Sequence, residues 1–411
     1  MTGSQGTTGG PDVPVPGVAV PGVAVPDVPV PDVFGRLAGQ EQVVAQLRAA
    51  AAAGPGGTGH AWLFTGPPGS GRSTAARAFA AAVLCGNGGC GHCPSCRQVA
   101  AGTHADLLLV QPDGLSYGVK QTRDLVLRAA TAPVYGRFRV VLFEDADRAT
   151  EQAANALLKA IEEPAPRTIW LLCAPSAADL PVTIRSRCRL VTLRIPPAQA
   201  VAEVLAAEGV PQDQALLAAR AAQGHIGRAR RLATDPDAAA RRAEVLRLPS
   251  RATALGPALA AAASLVKAAE AEAAAVSEEL DVPEREALRK AFGEGSTGKG
   301  VATALRGGAG ALKDLEDRQK SRATRHKRDS LDRALLDLAS YYRDVLTLQL
   351  GAGVELANAA LSAELEQQAS ASPPEVTVRK LESIMACRVR LEGNVAPLLA
   401  VEEMAIALTA V

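Results

Sequence analysis

The sequence predicts an α/β domain, a parallel sheet with helices on both faces, followed by two all-helical regions. Between residues 33 and 196, short apolar runs alternate with helical patterns, and this alternation is typical of parallel sheets. After residue 197 the strand signal stops, and the chain becomes rich in Ala and Leu, which have the highest helix propensities. Because aromatic residues make up only 3% of the 411 residues, we expect cores built mainly from Ala, Leu and Val.

Five apolar runs are predicted to be the strands of this sheet. They are residues 61–65, 107–110, 139–143, 169–173 and 190–195. Helical patterns lie around them, at residues 41–53, 73–84, 121–130 and 151–163. The first strand leads through a glycine-rich loop into a helix, and this order of elements is the context expected of a phosphate-binding loop.

The domain organisation follows from changes in composition along the chain. Residues 1–31 carry a five-residue Val/Pro repeat and are predicted to be a disordered, extended tail, since so much proline excludes helices and sheet ladders. The α/β domain is predicted over residues 32–196. A small helical domain follows at 197–240, and a larger helical domain occupies 241–411.

Bulk properties restrict the class of protein. The net charge is +1, so overall charge does not demand a nucleic-acid partner. No apolar run reaches the roughly 18 residues of a membrane span, and no secretion signal is apparent, so we expect a cytoplasmic protein with no membrane partner. In a reducing compartment, seven cysteines favour metal ligands or buried thiols over disulfides.

The glycine-rich loop matches the phosphate-binding pattern G-x-x-x-x-G-K-[ST] except at one position. Its residues are Gly66, Pro67, Pro68, Gly69, Ser70, Gly71, Arg72 and Ser73. Backbone N–H groups of such a loop hold phosphates, the lysine reaches the β- and γ-phosphates, and the last serine binds Mg²⁺. Arg72 replaces that lysine, and its planar fork is not interchangeable with an ammonium group. ATP or ADP is therefore a candidate ligand without turnover; the alternative is a tight turn with no ligand.

An acidic pair follows the third predicted strand. An ATPase places Asp there for Mg²⁺ and then a Glu that orients the attacking water, whereas this chain has Glu144 and then Asp145. The inverted order gives each carboxylate the wrong length for its task. The alternative interpretation is a solvated acidic turn that opens a helix.

Four cysteines behind the glycine-rich loop give the strongest single signal. Cys85, Cys90, Cys93 and Cys96 have the spacing C-x4-C-x2-C-x2-C, which can surround one tetrahedral Zn²⁺. Four thiolates leave no open coordination position, so the predicted role of this zinc module at residues 85–96 is structural. An iron–sulfur cluster and unliganded surface thiols are the alternatives.

Two basic segments allow both a structural and a functional interpretation. Arg185, Arg187 and Arg189 alternate at the start of the fifth predicted strand, which would place them on one face, either as a solvated edge or as an arginine finger for a neighbouring subunit. The basic run 318–328 is predicted to be a solvated helix face, with contact to DNA or an acidic protein as the alternative. A second glycine-rich stretch at 293–300 lacks the Ser or Thr for Mg²⁺ and a preceding strand, so it is interpreted as a loop.

Taken together, these motifs resemble the delta-prime subunits of bacterial DNA polymerase III clamp loaders, which belong to the AAA+ family. Further segments of residues 33–235 share the likeness: 38–40, 60–64, 155–164 and 180–188. The resemblance implies an AAA+ module, a helical lid at 197–240 and a helical collar at 241–411 that joins a five-subunit ring. It implies partners as well: the gamma/tau ATPase subunits, the delta subunit and, through the ring, the sliding clamp and primer-template DNA.

The resemblance implies that this chain hydrolyses no ATP alone and that Arg187 completes the ATP site of a neighbouring gamma/tau subunit. The runner-up is a gamma/tau motor subunit, which shares the zinc module. Four departures count against it: Arg72, the inverted acids, Ala174-Pro175 in place of threonines that sense phosphate, and Gly227 where the motor lid has an arginine. A stand-alone zinc-containing P-loop enzyme, such as a nucleotide kinase, is the third hypothesis.

Overall fold

The computed structural model describes residues 32–291 and 301–409, except residues 55, 113, 115 and 394. Side chains at 291 and 301–309 are not described. The predicted Val/Pro tail (1–31) and the second glycine-rich stretch (293–300) lie outside the described residues. Within the described part, no helix is long and apolar enough to cross a membrane.

The α/β domain is built on five parallel strands. They are β1 (Ala61–Thr65), β2 (Leu107–Val110), β3 (Arg139–Phe143), β4 (Thr168–Ala174) and β5 (Arg189–Thr192). Their order across the sheet is β2-β3-β4-β1-β5, so β1 lies between β4 and β5. In register, Ala61 lies opposite Trp170 and Trp62 lies opposite Arg189. The carboxyl end of β1, where the glycine-rich loop begins, is therefore flanked by the ends of β4 and β5.

Alternate residues of the strands face two separate cores, as expected for a sheet that is covered on both faces. One core packs Phe64, Leu142 and Leu171 against helices α1 (Glu41–Ala52), α2 (Arg72–Leu84) and α3 (Pro94–Ala101). The other packs Leu63, Val141 and Trp170 against α4 (Val119–Ala129), α5 (Glu151–Glu162) and α6 (Val182–Arg185). The parallel sheet with helices is thus confirmed.

The rest of the described chain is helical, as predicted. Three helices follow the sheet and share a core: α7 (Ala198–Ala207), α8 (Gln212–Ala221) and α9 (Ile226–Thr234). The next set is α10 (Pro236–Leu246), α11 (Leu248–Arg251), α12 (Leu255–Ala291), α13 (Val301–Gln349), α14 (Ser362–Ala371), α15 (Pro374–Glu392) and α16 (Pro397–Leu408). Helices from α10 onward contribute to one large core. The domain limits at 196 and 240 stay predictions, and the second of them falls inside α10.

The predicted strands differ from the observed ones mainly at the fifth. It spans Arg189–Thr192 rather than residues 190–195, and most of its side chains are exposed because it lies at the edge of the sheet. Arg185 is the last residue of α6, and Arg187 lies between α6 and β5. The prediction that residues 185, 187 and 189 share one strand face was therefore wrong, since alternation along a strand requires all three to be in it.

Candidate functional site

The glycine-rich loop joins β1 to α2 as predicted. Its backbone is tightly folded: the Gly66 N–H donates to the Pro175 carbonyl (3.1 Å), and the Ser70 N–H donates to the Pro67 carbonyl (3.0 Å). Gly69 and Gly71 have φ angles of 91° and 89°, which a residue with a side chain rarely adopts. Helix α2 begins without a side-chain cap, so the backbone N–H groups of its first turn remain available for an anion.

The side chain of Arg72 turns back onto its own loop. Its Nη1 donates to the carbonyl oxygen of Gly66 over 2.8 Å. A lysine at this position would present its ammonium group to the phosphates, whereas this guanidinium contacts the backbone of the loop's first residue. Ser73, the predicted Mg²⁺ ligand, lies in the first turn of α2 and is half-buried. The loop keeps its shape, but its cation is engaged with the protein.

Two polar atoms near the loop have no hydrogen-bond partner among the residues that the structure describes. The hydroxyl of Ser70 is one of them: the residue is only 3% exposed, and its oxygen is unpaired. One carboxylate oxygen of Asp147 is also buried and unpaired, and burial raises the pKa of this residue. Because unpaired buried polar atoms are costly, they mark a place that suits a water or a ligand atom.

Glu144, at the carboxyl end of β3, is held by two side chains. Its Oε1 accepts from Arg77 Nη2 (2.9 Å) and Nε (3.3 Å), and its Oε2 accepts from Gln111 Nε2 (2.8 Å). Arg77 comes from α2, four residues beyond Ser73 at the end of the glycine-rich loop. Both carboxylate oxygens are thus engaged, and the side chain is only 13% exposed. A cation of the chain itself neutralises the residue predicted at the metal position.

Asp145 is neutralised in the same way, by a helix 180 residues further along the chain. Its Oδ2 accepts from Arg325 Nη2 of α13 (3.0 Å), and Arg325 Nη1 donates to the Pro112 carbonyl (2.6 Å). The backbone of Asp145 is left-handed, with φ 48°. Neither Arg77 nor Arg325 was predicted as a site residue, although Arg325 belongs to the basic run. A run of basic residues in a sequence does not indicate which acidic residue each of its side chains contacts.

The basic run 318–328 forms the predicted solvated face only in part: Arg318 and Lys320 are exposed, whereas other charges of the run pair with acidic residues of α12. Arg322 pairs with Asp281 (2.5 Å) and Glu284 (2.6 Å) of α12, and Lys327 pairs with Glu270 (2.5 Å). Lys320, by contrast, is 77% exposed. The reason is packing: α12 and α13 lie side by side, so the charges that face each other form ion pairs.

The turn between α8 and α9 approaches the loop closely. A Cβ atom on Gly69 would lie 2.8 Å from the Cβ of His225, so only glycine fits there. Gly227 occupies the first turn of α9 and brings no cation to the loop. The next residue, Arg228, turns to Asp337 of α13. Burial lowers the pKa of His225, and so do the charges of Arg228, Arg333 and Arg72. His225 was missed in the sequence because a lone histidine carries no pattern.

The four predicted cysteines come together between α2 and α3. Their sulfur atoms all lie within 4.8 Å of one another, and Cys85 Sγ lies 3.8 Å from Cys90 Sγ and 3.6 Å from Cys93 Sγ. Four sulfurs, each about 2.3 Å from one tetrahedral ion, lie about 3.8 Å apart, which fits the observed spacing. Burial opposes ionisation, but hydrogen bonds from the backbone of Cys90, Asn87 and Gly89 lower the pKa of Cys85 to about 6. The cluster can therefore hold a metal ion.

Arg187 lies on the surface of the α/β domain. Its Nη1 donates to the Thr183 carbonyl (2.9 Å), and its Nη2 pairs with Glu162 (2.6 Å). The two side chains are 35% and 54% exposed. Its neighbours diverge, since Arg185 donates to the Ala177 carbonyl and the Arg189 guanidinium lies over the ring of Trp62. Arg187 thus forms a solvent-exposed ion pair.

Comparison with known proteins identifies relatives of the α/β domain. The family model described as DNA polymerase III, delta subunit, matches residues 39–197. The chain is 40% identical over 163 residues to DNA polymerase III subunit delta-prime of Pseudomonas aeruginosa. This alignment covers 38% of this chain and 49% of the relative. The chain is also 36% identical over 192 residues to subunit gamma/tau of Mycobacterium tuberculosis. This second alignment covers 44% of this chain and 33% of the relative.

The aligned regions are limited in extent. The chain spans between a third and a half of the length of these relatives. A solved structure of a DNA polymerase III gamma subunit-related protein from Thermotoga maritima aligns over 89% of this chain and 98% of its own, with 15% identity and a TM-score of 0.41. Gamma/tau and delta-prime relatives both match. The resemblance predicted from the sequence is thereby confirmed: residues 39–197 are related to the clamp-loader subunits of the AAA+ type.

Proposed function

We propose that this chain is a non-motor, delta-prime-type subunit of a DNA polymerase III clamp loader, which helps to load the sliding clamp on primed DNA. Its partners would be the gamma/tau and delta subunits and, through the complex, the clamp and primer-template DNA. This role implies a cytoplasmic protein. The proposal extends the relationship found over residues 39–197 to the whole chain.

One observation carries the non-motor part of the proposal: both acids at the end of β3 are paired with arginines of the chain itself. Glu144 pairs with Arg77, and Asp145 pairs with Arg325. A motor needs this turn for Mg²⁺ and for the attacking water. Mg²⁺ would have to displace a guanidinium from a carboxylate that is 13% or 28% exposed, while Arg72 leaves the phosphates without their usual lysine.

The cysteine cluster would hold a structural Zn²⁺ through Cys85, Cys90, Cys93 and Cys96. All four donors are sulfur, and their spacing suits a closed tetrahedral shell. Bound there, the ion would tie the end of α2 to the start of α3. This position stabilises the helix that follows the glycine-rich loop without supplying a cation to the nucleotide.

Arg187 is proposed to act in trans, as an arginine finger in the ATP site of a neighbouring gamma/tau subunit. It is exposed, and its ion pair with Glu162 is open to solvent, so an incoming phosphate can replace the carboxylate. A guanidinium placed there would stabilise the charge that develops during phosphoryl transfer. Arg187 would thus contribute to ATP hydrolysis in a partner subunit, whereas the nucleotide site of its own chain would be inactive.

A gamma/tau-type motor subunit is the second candidate function. The match to gamma/tau of Mycobacterium tuberculosis favours it, and the cysteine cluster is compatible with both. The two candidates differ in one measurable property, because a motor hydrolyses ATP at its own loop. The engagement of Arg72, Glu144 and Asp145 within the chain argues for the non-motor role.

The decisive experiment measures ATP hydrolysis and nucleotide binding by the isolated full-length chain. We expect no turnover above a buffer control, and no turnover in the Arg72→Lys variant, because Glu144 and Asp145 keep their arginine partners. Calorimetry with ATP and ADP, in the presence of Mg²⁺, reports whether the loop holds nucleotide without hydrolysing it. Measurable turnover by the unmodified chain would contradict the proposal and favour the motor.

A further inference from the structure

An open groove lies between helices α9, α10 and α11 and the long helices α12 and α13. Its volume is about 1140 Å³. One wall comes from α9, α10 and α11, and the other comes from α12 and α13. The glycine-rich loop and the cysteine cluster do not line it, although His225, which lies against Gly69 of the loop, marks one end of the groove.

The wall from α12 presents one face of the helix over four turns. The lining residues recur at intervals of three and four: Pro257, Ala260, Ala261, Ser264, Leu265, Ala268, Ala269 and Glu272. This stretch is about 22 Å long at 1.5 Å per residue. Most of its side chains are apolar; Leu265 and Ala269 are buried in the helical core, and Leu232 and Val245 add partly exposed apolar surface from the opposite wall.

Positive charge is in surplus around this apolar surface. Three lining carboxylates are each shared by two lining arginines: Asp337 by Arg228 and Arg242, Glu272 by Arg231 and Arg333, and Glu244 by Arg247 and Arg251. The seventh lining arginine, Arg241, shares Asp235 with Arg231. Seven arginines therefore share four carboxylates, which leaves a surplus of three positive charges.

Part of this surplus is withdrawn from water. The side chains of Arg228 and Arg242 are each only 15% exposed, and the single carboxylate between them is 7% exposed. An excess charge in such a place is costly unless an anion compensates it. Glu244 and its two arginines, in contrast, lie at the open rim, with 53–56% of each side chain exposed.

We propose that the groove binds an acidic amphipathic helix of a partner protein. Its apolar face would pack on the α12 wall, where small side chains allow a close approach, and its carboxylates would meet the arginine pairs. The dimensions favour a helix over a small molecule, since 22 Å accommodates about four turns and the volume exceeds the usual 300–1,000 Å³ of ligand pockets. The charges are also spread over five helices rather than focused on one head group.

The test uses the full-length chain and three fluorescein-labelled peptides of 16 residues. The first places Leu at i, i+3, i+4 and i+7 with Glu on both flanks. The second scrambles the same residues so that no apolar face exists, and the third replaces each Glu with Lys. By fluorescence anisotropy, we expect micromolar binding of the first, at least tenfold weaker binding of the second, and no saturable binding of the third.

Two groove variants and one matched control separate docking from general charge attraction. The double variant Arg247→Glu, Arg251→Glu changes exposed rim charges, and Ser264→Trp fills the groove without changing charge. Each should weaken binding of the first peptide at least tenfold, while Lys320→Glu, outside the groove and 77% exposed, should leave it unchanged. Thermal melting monitors the fold of each variant.

Three outcomes would overturn the inference. They are equal binding of the scrambled peptide, wild-type affinity in both groove variants, and loss of binding in the charge variant alone. The last would mean that surface charge attracts the peptide outside the groove. Hydrogen exchange adds a positional readout, since a docked helix should slow exchange in α10 and α12.

Discussion

The phosphate-loop region and the Arg187 surface both depend on arginines, but they use them in opposite ways. Near the loop, Arg72, Arg77 and Arg325 turn inward and bind a carbonyl or a carboxylate of the same chain. At the surface, Arg187 keeps one exposed ion pair with Glu162. The arginines of the first region are engaged with carbonyls and carboxylates of the chain itself, whereas the arginine of the second region is paired only at the solvent-exposed surface.

Exposure explains the difference in physical terms. The carboxylate of Glu144 is 13% exposed, whereas that of Glu162 is 54% exposed. A partly buried pair is difficult to break, because each charge left alone would have been withdrawn from water. An exposed pair is screened by solvent and contributes at most about 1 kcal/mol, so it exchanges partners easily. Four predictions test this contrast.

The largest effect is expected from Arg187→Ala in a complex reconstituted with the gamma/tau and delta subunits. Loss of an arginine finger should slow hydrolysis at the neighbouring site by about 10³-fold, measured as single-turnover ATP cleavage. Arg187→Lys should not restore the rate, because an ammonium group lacks the planar fork. Arg185→Ala is the matched control and should keep the rate; an equal loss in both variants would remove the special role of residue 187.

The next effect concerns the cysteine cluster between α2 and α3. Chelation should release one Zn²⁺ per chain and lower the melting temperature by roughly 10 °C, because the ion links α2 to α3. Cys90→Ser should reproduce the shift, whereas Cys188→Ser, outside the cluster, should not. Metal analysis that finds iron, or no metal, in the purified chain would contradict the zinc assignment.

A smaller effect is expected from the contact between α13 and the acidic turn. Arg325→Ala should reduce the free energy of unfolding by about 1–2 kcal/mol, since it leaves the carboxylate of Asp145 without its main partner. Urea denaturation measures this loss, and a double-mutant cycle with Asp145→Asn isolates the pair. Strict additivity of the two substitutions would mean that the pair contributes no coupling energy.

The smallest effect is expected at the exposed pair. Glu162→Ala should change the free energy of unfolding by less than about 0.5 kcal/mol, because both side chains are solvated. ATP hydrolysis by the reconstituted complex should not fall, since Arg187 becomes freer to reach its target. A destabilisation comparable with that of Arg325→Ala would break the contrast between the two regions.

Local patterns predicted much of this molecule. Strands β1, β2 and β3 have the predicted bounds, and the glycine-rich loop and the cysteine cluster lie where their spacing placed them. These features depend on residues that are close in sequence, so propensity and spacing suffice. The fifth strand ends three residues earlier than predicted, because the apolar pattern continues through Leu193 and Ile195 beyond the last residue of the strand.

The sequence by itself determined the parallel sheet, the loop without its lysine, the four sulfur donors and the inverted order of the acids. Only the tertiary structure decided which cation neutralises each acid. Arg77 reaches Glu144 across 67 residues and Arg325 reaches Asp145 across 180, and no local pattern encodes such distant pairs. Charge acts through space, so its partners are fixed only when helices such as α12 and α13 pack, and the same packing created the groove that α12 lines.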